Sequence, residues 1–307
     1  MLGEVFYWLF NMSLAASLVG LIVLGLRAIP RLPRRFACWL WLIPLFRMWI
    51  PVGMGSRFSL MTLLSKLTTR TVVVWERGDM SFAFTNVVMA ANSYFPVTYR
   101  INLLEHLFRT VAVIWLAVAA AILISFAVLY VTTKRELRDA VRLQENVFLS
   151  DKVTSPALYG IFRSRIILPL GWESREDLSL ILAHERAHAR HFDNLWRVIA
   201  FVTAAIHWFN PLAWLFLRAA LSDMELYCDE RVMKKMDEHE RSGYALALVN
   251  SAQTRREQTL FASAFGGARI RVRIDRILNY RHLSLFSAIC FALLALVIAF
   301  VLLTNAK

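Results

Sequence analysis

From Val5 to Leu26 the chain carries no charged residue. A run of that length and character folds as a helix that crosses a bilayer. Inside lipid a backbone has no water to bond, so a single open segment has no other stable form. No basic stretch precedes the run and no A-x-A-like site follows it, which predicts a retained anchor and not a cleaved signal. Three further apolar runs extend the pattern. The second covers about Ala37 to Val52, is short, and carries Arg47 close enough to its end to snorkel to the interface. The third covers about Thr110 to Val131 and ends in Lys134-Arg135-Glu136. The fourth covers Leu283 to Leu303 and follows Arg269, Arg271, Arg273, Arg276 and Arg281.

The charges orient these runs. The linker after the first run holds Arg27, Arg31, Arg34 and Arg35 with no acid, and both flanks of the 134–282 segment are basic. The positive-inside rule places these parts in the cytoplasm. It follows that the N-terminus, the 53–107 segment and the C-terminus lie outside. The net charge of +13 is thereby read as a topology signal, and direct nucleic-acid binding is not expected. At 58% hydrophobic the chain exceeds the roughly 45–50% of a soluble domain. Cys38, Cys228 and Cys290 are too scattered for a disulfide framework and read as buried thiols.

The sequence therefore predicts an α-helical membrane protein with four transmembrane helices and a cytoplasmic α+β domain. Residues 1–133 hold three helices (about 5–26, 37–52 and 110–131) and an extracellular loop, 53–107. Residues 134–282 form the cytoplasmic domain, and 283–307 the fourth helix and a short tail. Within the domain, Glu145 to Pro169 looks strand-like, with IFRSRIILP (Ile161 to Pro169) as a strand pair or a bent edge strand. A helix begins near Ser174, capped by S-R-E-D, and continues through HERAHARHFDN. The apolar stretch Val198 to Leu221 is broken by Pro211 and reads as a helix pair, buried against the membrane face or inside the domain, in preference to a fifth span.

The chemistry lies in HERAH. Residues four apart share one helix face, so His184 and His188 can offer two imidazoles to one Zn2+ ion. Glu185 lies about 100° round the helix, placed to serve as general base. A catalytic zinc needs a third protein ligand and one open position. ELYCD supplies Glu225 as that ligand, and Asp229 as a carboxylate to hold the outward nitrogen of a ligand histidine. Asp193 either supports the ligand helix, caps its end or is simply solvated. His191 is not expected to ligate. His207 belongs to packing, with contact to substrate as the alternative, and Cys228 is assigned to the core.

In order, HERAHARHFDN, HWFNPLAW (His207 to Trp214) and ELYCDERV (Glu225 to Val232) resemble the BlaR/MecR-type antirepressor metallopeptidases, which are integral-membrane gluzincins. LYGIFRSRIILP and FASAFGG…RIDRIL look like theirs as well, so the resemblance covers about residues 100–282. It implies a bacterial, multi-pass cell-membrane protein with a zincin-like (gluzincin) metallopeptidase domain in the cytoplasm. It also implies a DNA-binding repressor as protein substrate, and self-cleavage. By the same resemblance His184, His188 and Glu225 are the ligands, Glu185 the base and Asp229 the supporting carboxylate. The best-known members continue into a penicillin-binding sensor domain. The present sequence has no S-x-x-K and no K-T-G, so sensing is expected of the 53–107 loop, the spans, a sensor partner or a second copy of the chain. A quality-control or processing zinc protease, and a non-catalytic signalling scaffold with a closed four-ligand metal site, are the alternatives.

Overall fold

The computed structural model describes residues 2–29, 32–50, 103–234, 236–256, 263–280 and 285–303. Residues 53–102 of the expected extracellular loop, and the end of the second expected span at 51–52, lie outside the described residues. The chain divides into two compact units: Met1–Ile124, Val202–Ala219 and Ser284–Lys307 form one, Ser125–Phe201 and Ala220–Leu283 the other.

The first unit is helical. Its helices are α1 (Leu2–Arg27), α2 (Arg34–Leu40), α3 (Leu42–Trp49), α4 (Leu103–Glu136) up to residue 124, the adjoining turns of α6 (Asp193–Ile206) and α7 (Pro211–Met233), and α10 (Leu285–Leu303). Among the described residues two segments are long and apolar enough to cross a membrane, Leu2–Arg27 and Leu107–Asp139. The second expected span is instead two short helices that meet at Trp41. Pro44 has no amide hydrogen to give the Leu40 carbonyl, which interrupts the ladder there. Arg47 does not snorkel: its side chain is 2% exposed, on a helix packed along α1.

The stretch 198–221 is a helix pair, as the sequence predicts, and Pro211 opens its second member. Asn210 precedes that proline and its Oδ1 accepts the Leu212 amide at 3.0 Å, a side-chain cap. Its Nδ2 donates to Ser13 Oγ and Ser17 Oγ, both at 2.7 Å, on α1. Indole N–H groups add further ties, Trp49 to Thr203 Oγ1 and Trp115 to the Ile206 carbonyl, each 2.7 Å. The buried-thiol expectation holds for Cys228 only, since Cys38 is half-buried and Cys290 exposed.

The second unit contains a four-stranded sheet of β1 (Val141–Arg142), β2 (Val147–Ser150), β3 (Ala157–Tyr159) and β4 (Arg165–Pro169), in the order β1-β2-β4-β3. β2 and β4 are parallel, with Val147 opposite Ile166 and Ser150 opposite Pro169; the other pairs are antiparallel. IFRSRIILP is thus neither a strand pair nor an edge. Its strand begins at Arg165 and lies inside the sheet, because Ile166, Ile167 and Leu168 are hydrophobic on both faces and all buried. Val147, Ile166 and Leu168 pack with Trp172, Ile181 and Leu182, which seats α5 (Leu178–Arg190) on the sheet. Full burial of each such side chain stabilises by about 1.5–3 kcal/mol.

The HERAH helix differs from expectation at both ends. Ser174 closes a 3₁₀ turn (Trp172–Ser174) and does not cap α5, which starts at Leu178. Asp177 stands at the cap position, but its carboxylate is taken by Arg175, with Nε and Nη2 each donating at 2.7 Å. At the far end HERAHARHFDN is not continuous helix. Phe192 adopts φ +55°, a left-handed conformation that breaks the ladder, and α6 starts afresh at Asp193. α8 (Glu238–Arg256) opens with a capping box, Asp237 Oδ1 to the Glu240 amide and Glu240 Oε2 to the Asp237 amide, and α9 (Ser263–Leu278) packs on it.

Candidate metal centre

α5 carries His184 and His188 one turn apart, both buried, with ring planes at 85° and centroids 4.7 Å apart. Their Nε2 atoms lie 3.2 Å from one another. From α7, Glu225 brings Oε2 to 3.6 Å from His184 Nε2 and Oε1 to 3.6 Å from His188 Nε2. Ligand atoms about 2.1 Å from a tetrahedral zinc stand about 3.4 Å from each other. The two Nε2 atoms, 3.2 Å apart, and the two Glu225 oxygens, each 3.6 Å from one of them, stand close to that spacing, so the three side chains suit such an ion with nitrogen and oxygen donors. Glu185 lines the same 530 Å³ cavity as these three side chains, together with Ser155 to Leu158 of the β3 edge.

Each histidine is held at its other nitrogen. Asp193 Oδ2 lies 2.6 Å from His188 Nδ1, so the structure brings Asp193 against a candidate ligand and leaves it neither solvated nor a cap. Arg231 approaches the same oxygen at 3.4 Å. Asp229 Oδ1 stands 3.4 Å from His184 Nδ1, and the Tyr244 hydroxyl comes closer, 2.8 Å from His184 Nδ1 and 2.7 Å from Asp229 Oδ1. Arg273 grips Asp229 with Nε on Oδ2 and Nη2 on Oδ1, both at 2.8 Å. Its Nη2 is also 3.4 Å from His184 Nε2, and its Nη1 3.5 Å from Glu225 Oε2. Arg197 completes the ring, donating to Glu225 Oε1 at 2.7 Å.

Sequence reasoning missed Tyr244, Arg273 and Arg197. Arg273 was one of a run of arginines explained by topology, and Arg197 follows Asp193 by one helical turn. Tyr244 carried no local signal at all. Cys228 is in the core as expected, yet its Sγ lies 3.5 Å from His184 Nδ1, and it forms a possible metal-binding group with His184 and His188. His191 meets the Tyr227 ring at a 45° tilt, with centroids 6.4 Å apart, and His207 is buried in the first unit; neither joins the centre.

The electrostatics suit a cation. Burial disfavours a charged His184, but Cys228, Glu225 and Asp229 outweigh it and push the imidazole up to about 10. His188 is likewise desolvated, and Asp193, Cys228 and Glu225 still raise it to about 12. Burial would raise Glu225, yet His184, His188 and Arg273 hold it well below the usual carboxylate range. Groups that hold protons this firmly exchange them for a divalent ion when one binds.

Residues 7–277 match the family model described as BlaR1 peptidase M56. The regulatory protein BlaR1 of Bacillus licheniformis is 30% identical over 155 residues, which is 48% of this chain and 26% of that protein. The methicillin resistance mecR1 protein of Staphylococcus aureus is 26% identical over 103 residues, 33% of this chain and 18% of that protein. The chain thus matches about a quarter or less of the length of these curated relatives. It belongs to the BlaR1 peptidase M56 family.

Proposed function

Starting from membership of the BlaR1 peptidase M56 family, we propose that the chain is a zinc endopeptidase of the bacterial cell membrane that acts in regulatory proteolysis. The observation that carries the reading is the donor set of His184, His188 and Glu225 beside Glu185 in one cavity. When bound, zinc supplies a Lewis acid that polarises a scissile carbonyl and activates water. The protein's own contribution is positional. His184, His188 and Glu225 hold the ion, and Asp193 and Asp229 hold the histidines from behind. Glu185 takes a proton on its carboxylate from the attacking water and returns it to the leaving amine.

The substrate in this reading is a cytoplasmic DNA-binding repressor, with the chain itself as a second target. The relatives support that assignment by their regulatory and resistance roles. Four crossing helices, with the 134–282 domain in the cytoplasm and the 53–107 loop outside, accord with the arginine distribution and with the two long apolar helices. A sensor partner or a second copy of the chain then delivers the signal.

The test is stoichiometric zinc in the purified chain together with substrate loss in membranes. His184→Ala should abolish zinc binding, and Glu185→Gln should keep zinc while abolishing proteolysis. Full activity of Glu185→Gln sinks the mechanism. One observation favours a second reading, a closed structural site: Cys228 is close enough to be a fourth donor. Its sulfur, however, meets His184 at Nδ1, 3.5 Å away, whereas the Glu225 oxygens approach the Nε2 atoms of both histidines. Zinc spectroscopy showing sulfur ligation would favour the closed site; nitrogen and oxygen ligation alone favours the peptidase.

A further inference from the structure

Two protons decide what His184 can do, and the residues behind it specify where each one sits. Arg273 donates to both oxygens of Asp229 at 2.8 Å, a bidentate grip in which each oxygen of this buried carboxylate is an acceptor. An ionised carboxylate only accepts hydrogen bonds. The Tyr244 hydroxyl, 2.7 Å from Asp229 Oδ1, must therefore spend its single hydrogen on that oxygen. What Tyr244 then presents to His184 Nδ1, 2.8 Å away, is a lone pair, and that contact is a hydrogen bond only if Nδ1 carries the hydrogen. With Nδ1 protonated, the neutral imidazole has its lone pair on Nε2, the atom 3.2 Å from His188 Nε2 and 3.6 Å from Glu225.

We infer that Tyr244 is a positioning residue that fixes the metal-binding tautomer of His184, with Arg273 and Asp229 setting the direction of its hydrogen bond. The inference rests on the metallopeptidase reading and adds to it a role for a residue from α8. The direct Asp229 to His184 Nδ1 distance, 3.4 Å, is too long for Asp229 to do this alone, and the Cys228 sulfur at 3.5 Å is a weak partner. Tyr244 is 1% exposed, packed with Met233, Ala245 and Ile277, so its hydroxyl is held in place by the surrounding core. The reverse arrangement, with Tyr244 donating to Nδ1, would require a proton on Asp229 facing the Arg273 guanidinium.

The experiment uses the full chain in detergent. Zinc affinity is measured by chelator competition, and nitrogen NMR of the zinc-loaded, 15N-histidine-labelled protein reads the tautomer of His184. The wild type should bind one zinc with His184 protonated at Nδ1. Tyr244→Phe, which deletes one oxygen, should bind zinc about 10–100-fold more weakly, the usual effect of losing a partner behind a ligand. It should also lose the slow-exchanging Nδ1–H signal. Asp229→Asn should weaken binding in the same range. Unchanged affinity in Tyr244→Phe overturns the inference. So does a zinc-loaded wild type with the His184 proton on Nε2, an outcome that needs no variant to fold. A wild type that takes up no zinc overturns instead the metallopeptidase reading beneath it.

Discussion

The two histidines of the centre are held in different ways. His188 is held from five residues away: Asp193 opens the next helix, and the left-handed Phe192 turns the chain so that its carboxylate meets Nδ1 at 2.6 Å. His184 is held from three separate segments, α7 through Asp229, α8 through Tyr244 and α9 through Arg273. One cradle forms with a single turn of chain, whereas the other exists only once three helices have packed. The first has one strong bond, and the second spreads its energy over a chain of bonds that order one another.

The largest effect should come from breaking the local cradle. Asp193→Ala leaves His188 and Arg231 without the carboxylate they share in a buried setting, a loss of about 3–5 kcal/mol in the stability of the metal-free protein. Denaturant unfolding measures it, and a loss under 1 kcal/mol would contradict the description of His188 as singly held. Arg273→Ala comes next. It leaves Asp229 buried without its guanidinium and should weaken zinc binding about tenfold or more, measured by chelator competition.

The histidines should also give the metal-free chain a pH dependence. Both are raised above the unfolded value near 6.5, so their contribution to metal-free stability is complete below about 6.5 and is lost as the pair deprotonates in the alkaline range. Thermal unfolding of the metal-free chain should accordingly decline at alkaline pH, and less steeply in His184→Gln. Zinc affinity should move the opposite way and rise with pH, because the ion competes with these protons. The smallest effect belongs to Cys228→Ser, which should change zinc affinity less than about tenfold, since the sulfur meets His184 at Nδ1 and the Glu225 oxygens approach Nε2. A complete loss of zinc in that variant would make Cys228 a ligand and erase the distinction between the two sides.

This contrast also explains what the sequence disclosed. His184, Glu185 and His188 were legible because a helix converts a spacing of four into a shared face. Glu225 and Asp229 were legible for the same reason on a second helix. Asp193 was half legible: its nearness was plain, but its direction depends on the φ of Phe192, for which a phenylalanine gives no warning. Tyr244 and Arg273 were not legible, since nothing local links residue 244 or 273 to residue 184. In the fold, β4 was visible as an apolar run, but its interior place depends on a parallel pairing with β2 that no turn encodes. The break of the second apolar run was written in Pro44, whose weight was outbid by hydropathy.

Asn210 bonds two serines that sit one turn apart on α1, Ser13 and Ser17, with one amide hydrogen for each. Such a contact defines an axial position in the way a vernier does. A slide of α1 by one turn, about 5.4 Å, would leave a single serine in reach, and any smaller slide would misalign both. Two bonds one turn apart thus fix the axial register of α1 against the turn that carries Asn210.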